Sequence, residues 1–414
     1  MSSAVENPFN VLSLAQLRER TSVKWATHGP DVLPLWVAEM DVLPDPVIAK
    51  AVAQALAAGD TGYPASFTTH PKIELSQASS DHDYRTLPCY AHALADFARE
   101  RWGWDFADTA SRPVSDVMYG IFHLVRAIAQ GGTVVVSDPV YPPFTSYTEY
   151  AGATVRPARL TADGRLDLAE LDRAFVGAQV FILCNPQNPS GVPHTHQELS
   201  DLLELANRHG VRIISDEVHA PLTSPAAARM LGRDPFTPLL SVPGSERSLA
   251  VTSAAKGWNL AGFKAAMIIT GEESVADFDR VFPHAFESAS HLSVIAHTAA
   301  FMWGRPWLDS LRAGLDINRA YFEDRLGLLI PGARSLPAAA TYLAWVDFSS
   351  VTTASGKPLG PDPAAFFLQE AKVALNSGLT FGSHGTDHVR INIGTSHEII
   401  DLALDQMAGA LARN

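Results

Sequence analysis

Residues Leu249 to Gly262 read LAVTSAAKGWNLAG. Leu249 to Ser253 is a short apolar run of the kind that fills a buried strand, and Lys256 follows directly after it. A lysine beside a protein cavity loses its proton more readily and can then condense with an aldehyde. Read alone, Lys256 serves equally well as a surface lysine at the start of a loop. Ser253 could donate its hydroxyl to a phosphate, and Lys264 could add positive charge there. Each also reads as an ordinary loop residue.

Working outward, the same pattern of apolar strand and polar end recurs. Thr133 to Val136, Ala178 to Leu183, Val211 to Ser215 and Ala265 to Thr270 read as further strands. Helices fall between them; one opens at the capping box Thr195-x-x-Glu198 and stops at Gly210. Buried strands separated by helices predict a mainly parallel α/β sheet covered on both faces. Ligands of such sheets sit beyond the carboxyl ends of the strands. Asn188, Asp216, His219, Ser253 and Lys256 all lie just past those ends.

Upstream, Asp45-Pro46 caps a helix, and Ala91 to Trp102 has helical spacing. Residues 66–90 are polar and aperiodic and read as a surface insertion. Beyond about residue 300 the pattern changes: a helix over Trp307 to Leu328, a strand-like run from Thr341 to Phe348, a helix near Ala364 to Leu375, and Val389 to Ile393. This predicts a large domain over 51–295 and a smaller α+β domain from 1–50 and 296–414.

Composition narrows the class of function. The formal charge is −13, without a basic patch, which disfavours nucleic acid as a partner. No apolar run approaches the roughly 18–20 residues of a membrane span. Cys89 and Cys184 form neither a disulfide framework nor a metal-spaced cluster, and the start lacks a signal-peptide pattern. A cytoplasmic location without a metal site is expected.

Other segments carry candidate chemistry. In Ser215-Asp216-Glu217-Val218-His219 a carboxylate ends a buried strand, which is costly unless it is paired. A pyridinium nitrogen is such a partner, and the pair keeps the ring able to accept electrons. A helix cap is the plain alternative for Asp216, and a core histidine for His219. Asn188, in Asn185-Pro-Gln-Asn188-Pro-Ser-Gly191, sits in a rigid turn where its amide could donate to a phenolate. Met118 to His123 opens a helix at Gly120, where amides of Ile121 and Phe122 could hold phosphate. Tyr141, in Asp138-Pro-Val-Tyr141, could stack on a flat ring or simply fill the core. Arg390 in an apolar run wants a planar anion, either a substrate carboxylate or an internal partner.

The order of these features resembles the fold-type I pyridoxal 5′-phosphate (PLP) enzymes, the aspartate aminotransferase superfamily. Within it the chain looks most like the cystathionine β-lyase (MalY/PatB) family of carbon–sulfur lyases. The matching stretches are Leu33-Pro-Leu-Trp36-Val-Ala-Glu-Met-Asp41, Thr61-Gly-Tyr63-Pro64, Asp216-Glu-Val-His219, Lys256 to Gly262, Thr341-Tyr342 to Asp347 and Val389 to Gly394. The resemblance implies a mainly parallel seven-stranded sheet and a smaller α+β domain. It implies that Lys256 holds PLP as a Schiff base and acts as base, that Asp216 pairs with the ring nitrogen, and that Asn188 and His219 lie near the phenolic oxygen. Tyr141 would stack on the ring; Ile121 and Phe122, Ser253 and Lys264 would hold the phosphate. Tyr63 would reach the phosphate of a neighbouring subunit in a homodimer. Arg390 would take the substrate carboxylate, with Val37, Ala38 and Tyr342 closing over the substrate.

Glu39 stands where these lyases commonly have Asp, and Ala338-Ala-Ala340 replaces a usual Gly or Glu-Gly before Thr341. The expected reaction is β-elimination from an S-substituted L-cysteine, giving thiol, pyruvate and ammonia. An aminotransferase is the alternative. A nicotinamide enzyme is excluded, because no G-x-G-x-x-G joins a first strand to a helix.

Overall fold

The computed structural model describes residues 7–64, 81–107 and 110–414. The main part of the insertion read at 66–90 therefore lies outside the described residues. Of its remainder, Tyr84–Thr86 is a 3-10 turn, and Tyr90 already opens the helix Tyr90–Trp102.

In chain order the strands are β1 (Leu33–Pro34), β2 (Ser111–Val114), β3 (Thr133–Asp138), β4 (Thr154–Arg159), β5 (Val180–Cys184), β6 (Arg212–Asp216), β7 (Leu249–Thr252), β8 (Ala266–Thr270), β9 (Arg334–Ser335), β10 (Leu343–Asp347), β11 (Val373–Ala374), β12 (Asn376–Ser377) and β13 (His388–Asn392). The large sheet has seven strands in the order β2-β8-β7-β6-β5-β3-β4. Its pairs from β7 to β4 are parallel, and β8 runs antiparallel to both β7 and β2. The α/β class and the mainly parallel sheet follow the sequence reading.

Strand period explains the two covered faces. Val134, Val136, Val180, Ile182 and Ile214 turn to one side, against Ile121, Leu124 and Val125 of the helix Val117–Ala129. Val135, Phe181, Leu183 and Ile213 turn to the other, against Leu199, Leu202, Leu203 and Ala206 of the helix His196–His209. That helix has the capping box predicted at Thr195 and ends at Gly210 in the left-handed region.

A second, antiparallel sheet runs β12-β13-β10-β9, and β1 pairs in parallel with β11. One core joins the two chain ends: Leu17, Trp25, Leu33 and Leu35 pack with Phe322, Val346, Ile391 and Met407. The helix expected to reach Leu375 stops at Ala371. Lys372 there adopts φ +58°, and the backbone turns into β11. Among the described residues no helix is long and apolar enough to cross a membrane.

Candidate active site

Parallel strands aim their carboxyl ends at one place, and the candidate residues collect there. Beyond β3 comes Tyr141, beyond β5 Asn188, at the end of β6 Asp216, and beyond β7 Lys256. With Ala38, Asp116, Val117, Met118, His219, Ser253 and Lys264 they line one cleft. Arg390 enters from the second sheet, on β13, and its Nη1 donates to Asn188 Oδ1 at 3.0 Å.

Lys256 is half-buried, and its Nζ donates to Ala38 O at 2.9 Å. Burial, with Arg390 nearby, lowers its pKa to about 8. A neutral amine is thus within easy reach near pH 7, as imine chemistry requires. Its loop is tied to the N-terminal segment by Asn259, which accepts from Met40 N at 2.8 Å and donates to Met40 O at 2.9 Å. Asn259 does so at φ +57°, a conformation that asparagine tolerates.

Asp216 is buried, and its Oδ1 accepts from Val218 N at 3.0 Å. Desolvation pushes its pKa up to about 7 against the opposing pull of that bond and of Lys256. No described cation lies within ion-pair distance of this carboxylate, so a protonated ring nitrogen would supply the missing charge. His219 lies deep in the protein, its Nδ1 buried without a partner and its titration driven well below the ordinary range by desolvation. A neutral imidazole beside a phenolic oxygen suits that environment.

Arg390 is also buried, and burial lowers its pKa to about 10. Its described partners are neutral: Asn188 Oδ1, and Trp36 O at 3.1 Å. Its Nε is buried without an acceptor. The internal salt bridge that would have explained this arginine is absent among the described residues. A carboxylate ligand is the remaining partner of matching shape.

Near the helix Val117–Ala129 the structure corrects one expectation. Gly120, Ile121 and Phe122 are not at the cleft. Gly120 N donates to Asp116 O, and a Cβ at Gly120 would lie 3.1–3.4 Å from Val114, Val251 and Ile268. Ile121 is fully buried in the sheet-side core. Here glycine serves close helix–sheet packing. Tyr119 N is occupied by Asp116 Oδ1, which leaves the Val117 and Met118 amides of the first turn at the cleft. Lys264 pairs with Asp116 at 3.2 Å at the exposed rim. Ser253 lines the cleft, but its hydroxyl donates to Ala265 O at 2.7 Å and accepts from Ala255 N.

Tyr141 lines the cleft and makes a T-shaped ring contact with Phe144 at 5.9 Å. Tyr342 donates to Ala38 O at 2.7 Å and so fixes the carbonyl that also receives Lys256. Val37 O accepts from Asn392 Nδ2. Tyr63 is fully exposed and lies outside this cleft. Sequence reading missed Val117, Met118, Asn259 and Asn392 as parts of the site. The asparagines lay in quoted motifs, yet their partners are far away in the chain.

The cleft carries first-turn amides with Lys264 at one end, a buried carboxylate, a depressed lysine, a tyrosine ring and an unpaired arginine. This donor set fits PLP together with an amino acid. The class I and II aminotransferase family model matches residues 31–407. A Mycobacterium leprae protein provisionally named a cystathionine β-lyase is 43% identical, over 98% of this chain and 98% of its own. Bacillus subtilis cystathionine β-lyase PatB is 30% identical, over 94% of this chain and 97% of its own. A Corynebacterium diphtheriae structure, provisionally named a PLP-dependent β-cystathionase, superposes with a TM-score of 0.85 at 30% identity, over 97% of this chain and 99% of that one. The chain belongs to the class I and II aminotransferase family, on the branch that carries the cystathionine β-lyases.

Proposed function

We infer that this protein is a PLP-dependent carbon–sulfur β-lyase, converting an S-substituted L-cysteine and water to a thiol, pyruvate and ammonia. The observation that carries this reading is the half-buried Lys256, with its pKa lowered to about 8, sharing one cleft with Asp216 near an Arg390 that has no carboxylate partner. When bound, PLP supplies the aldehyde that joins the substrate amine and the ring that accepts electrons from Cα.

The chain's own groups do the rest. Arg390 and Asn188 hold the substrate carboxylate and set the orientation of Cα. Asp216 keeps the ring nitrogen protonated. A cation there would draw the Asp216 carboxyl back down from about 7. Lys256 would take the Cα proton at Nζ. Electrons then leave toward Cβ, the Cβ–S bond breaks, and the thiolate takes up a proton as it departs. Val117 and Met118 amides with Lys264 hold the phosphate, and Tyr141 fixes the ring plane. His219 and Asn188 would lie near the phenolic oxygen.

The fully exposed Tyr63 supports a homodimer in which each subunit completes the other's phosphate site. Two cysteines in the whole chain, Cys89 and Cys184, suit a cytoplasmic enzyme. The test is to incubate PLP-loaded protein with L-cystathionine or S-methyl-L-cysteine in the absence of any 2-oxo acid. Sustained, equimolar pyruvate and thiol are expected. A single turnover that resumes only when a 2-oxo acid is added would make it an aminotransferase.

A further inference from the structure

Arg390 is reached through a loop that the large sheet holds. The backbone leaves β12 at Ser377, passes through Phe381, Gly382, Ser383 and His384, and returns in β13, which carries Arg390. Asp138, the last residue of β3 in the other sheet, is the anchor. Ser383 Oγ donates to Asp138 Oδ2 at 2.6 Å, and His384 Nδ1 meets the same oxygen at 2.9 Å. Val140 N donates to Phe381 O at 2.8 Å. Gly382 sits at φ +133°, and a Cβ there would lie 2.1 Å from Asp138 Oδ1. The loop backbone is thus pressed directly onto the carboxylate.

What this holds in place is Phe381. Its buried ring lies 5.0 Å from the Arg390 guanidinium carbon and 5.3 Å from the ring of Trp345. Trp345 is in turn the cross-strand partner of Arg390. The guanidinium therefore lies between Asn188, which belongs to the large sheet, and an aromatic shelf fixed to that same sheet through Asp138. An arginine fork discriminates by its orientation, and a side chain locked by its neighbours loses less freedom on binding.

We propose that Asp138, Ser383 and His384 form a clasp between the two sheets that positions Arg390, through Phe381, for the substrate carboxylate. The three are positioning residues, and the proposal rests on the reading that Arg390 binds that carboxylate. Contact through Nδ1 makes asparagine the conservative replacement for His384, since its amide reaches the same place.

The experiment uses PLP-loaded enzyme and measures the dissociation constants of L-alanine and of L-alaninamide from the absorbance of the bound cofactor. It also measures kcat and KM for S-methyl-L-cysteine. Ser383→Ala and His384→Ala should each weaken L-alanine binding and raise KM by about three- to tenfold, the worth of one hydrogen bond, with kcat changed less than about twofold. L-Alaninamide binding should not move. His384→Asn should restore most of the loss, and Ser383→Ala should add nothing in an Arg390→Ala background. If Arg390→Ala weakens L-alanine but the clasp variants do not, the clasp is wrong. Equal weakening of L-alanine and L-alaninamide, or full additivity with Arg390→Ala, also overturns it. If Arg390→Ala itself leaves L-alanine binding unchanged, the Arg390 reading fails, and the clasp with it.

Discussion

Asn188 Oδ1 accepts from Arg390 Nη1 at 3.0 Å, although 202 residues separate the two in the chain. This contact joins the end of β5 in the large sheet to β13 in the small one, inside the cleft. It gives the guanidinium a neutral neighbour, so its charge stays available to a ligand.

Arg390→Ala should therefore cut kcat/KM for an amino-acid substrate by roughly ten- to a hundredfold, the worth of charge-assisted hydrogen bonds. The loss should appear mainly in KM. Steady-state kinetics with S-methyl-L-cysteine check it.

Asp216 yields a prediction for the cofactor-free protein. Its folded pKa of about 7 lies above the ordinary 3.8, so the folded state favours the protonated form. That stabilisation is complete below about pH 4 and is lost as pH rises through about 7. Asp216→Asn mimics the protonated carboxyl at every pH. Cofactor-free Asp216→Asn should come close to the parent near pH 4 and exceed it at pH 8 by on the order of 4 kcal/mol. Thermal melts at the two pH values decide. In loaded enzyme the same substitution should lower kcat by on the order of 10²–10³, since it removes the charge that supports the ring nitrogen.

Asn259 combines two hydrogen bonds to Met40 with a left-handed backbone. Asn259→Gly keeps the backbone free of strain and loses both bonds, at a cost of about 1–3 kcal/mol. Asn259→Ala should cost more, because alanine resists that φ. Denaturant melts of both variants test the ordering.

On the proposed dimer, in which Tyr63 would reach the neighbouring subunit's phosphate, Tyr63→Ala should leave the fold intact and weaken PLP retention. Sedimentation should give twice the chain mass for the parent. Cofactor release during dialysis should be faster for the variant.

The strand ends were legible because an apolar run closed by a charged residue is rare, and Asp216 and Lys256 each close one. Two strands of the seven-stranded sheet were not legible. β2 contains Pro113 and β4 contains Pro157, and both strands lie at the edges of the sheet, where proline is tolerated. The proposed phosphate amides lie one turn before the position that Gly120 suggested, because the N-cap is Asp116 and the first-turn amides directly follow it. Local sequence does not distinguish a glycine that admits a phosphate from one that lets a helix approach a sheet. The partners of Arg390 and of Asn259 were hidden for another reason: only the closed fold brings residues of β5, β13 and the N-terminal segment together.

Every chemical step above passes through the Lys256 ε-amine, and two lysines line the cleft, Lys256 and Lys264. Reducing the PLP-loaded protein with borohydride and mapping its peptides by mass spectrometry distinguishes them. The prediction is one pyridoxyl group per chain, on Lys256, absent in Lys256→Ala together with turnover. A label on Lys264, or unchanged labelling and turnover in Lys256→Ala, would contradict the account.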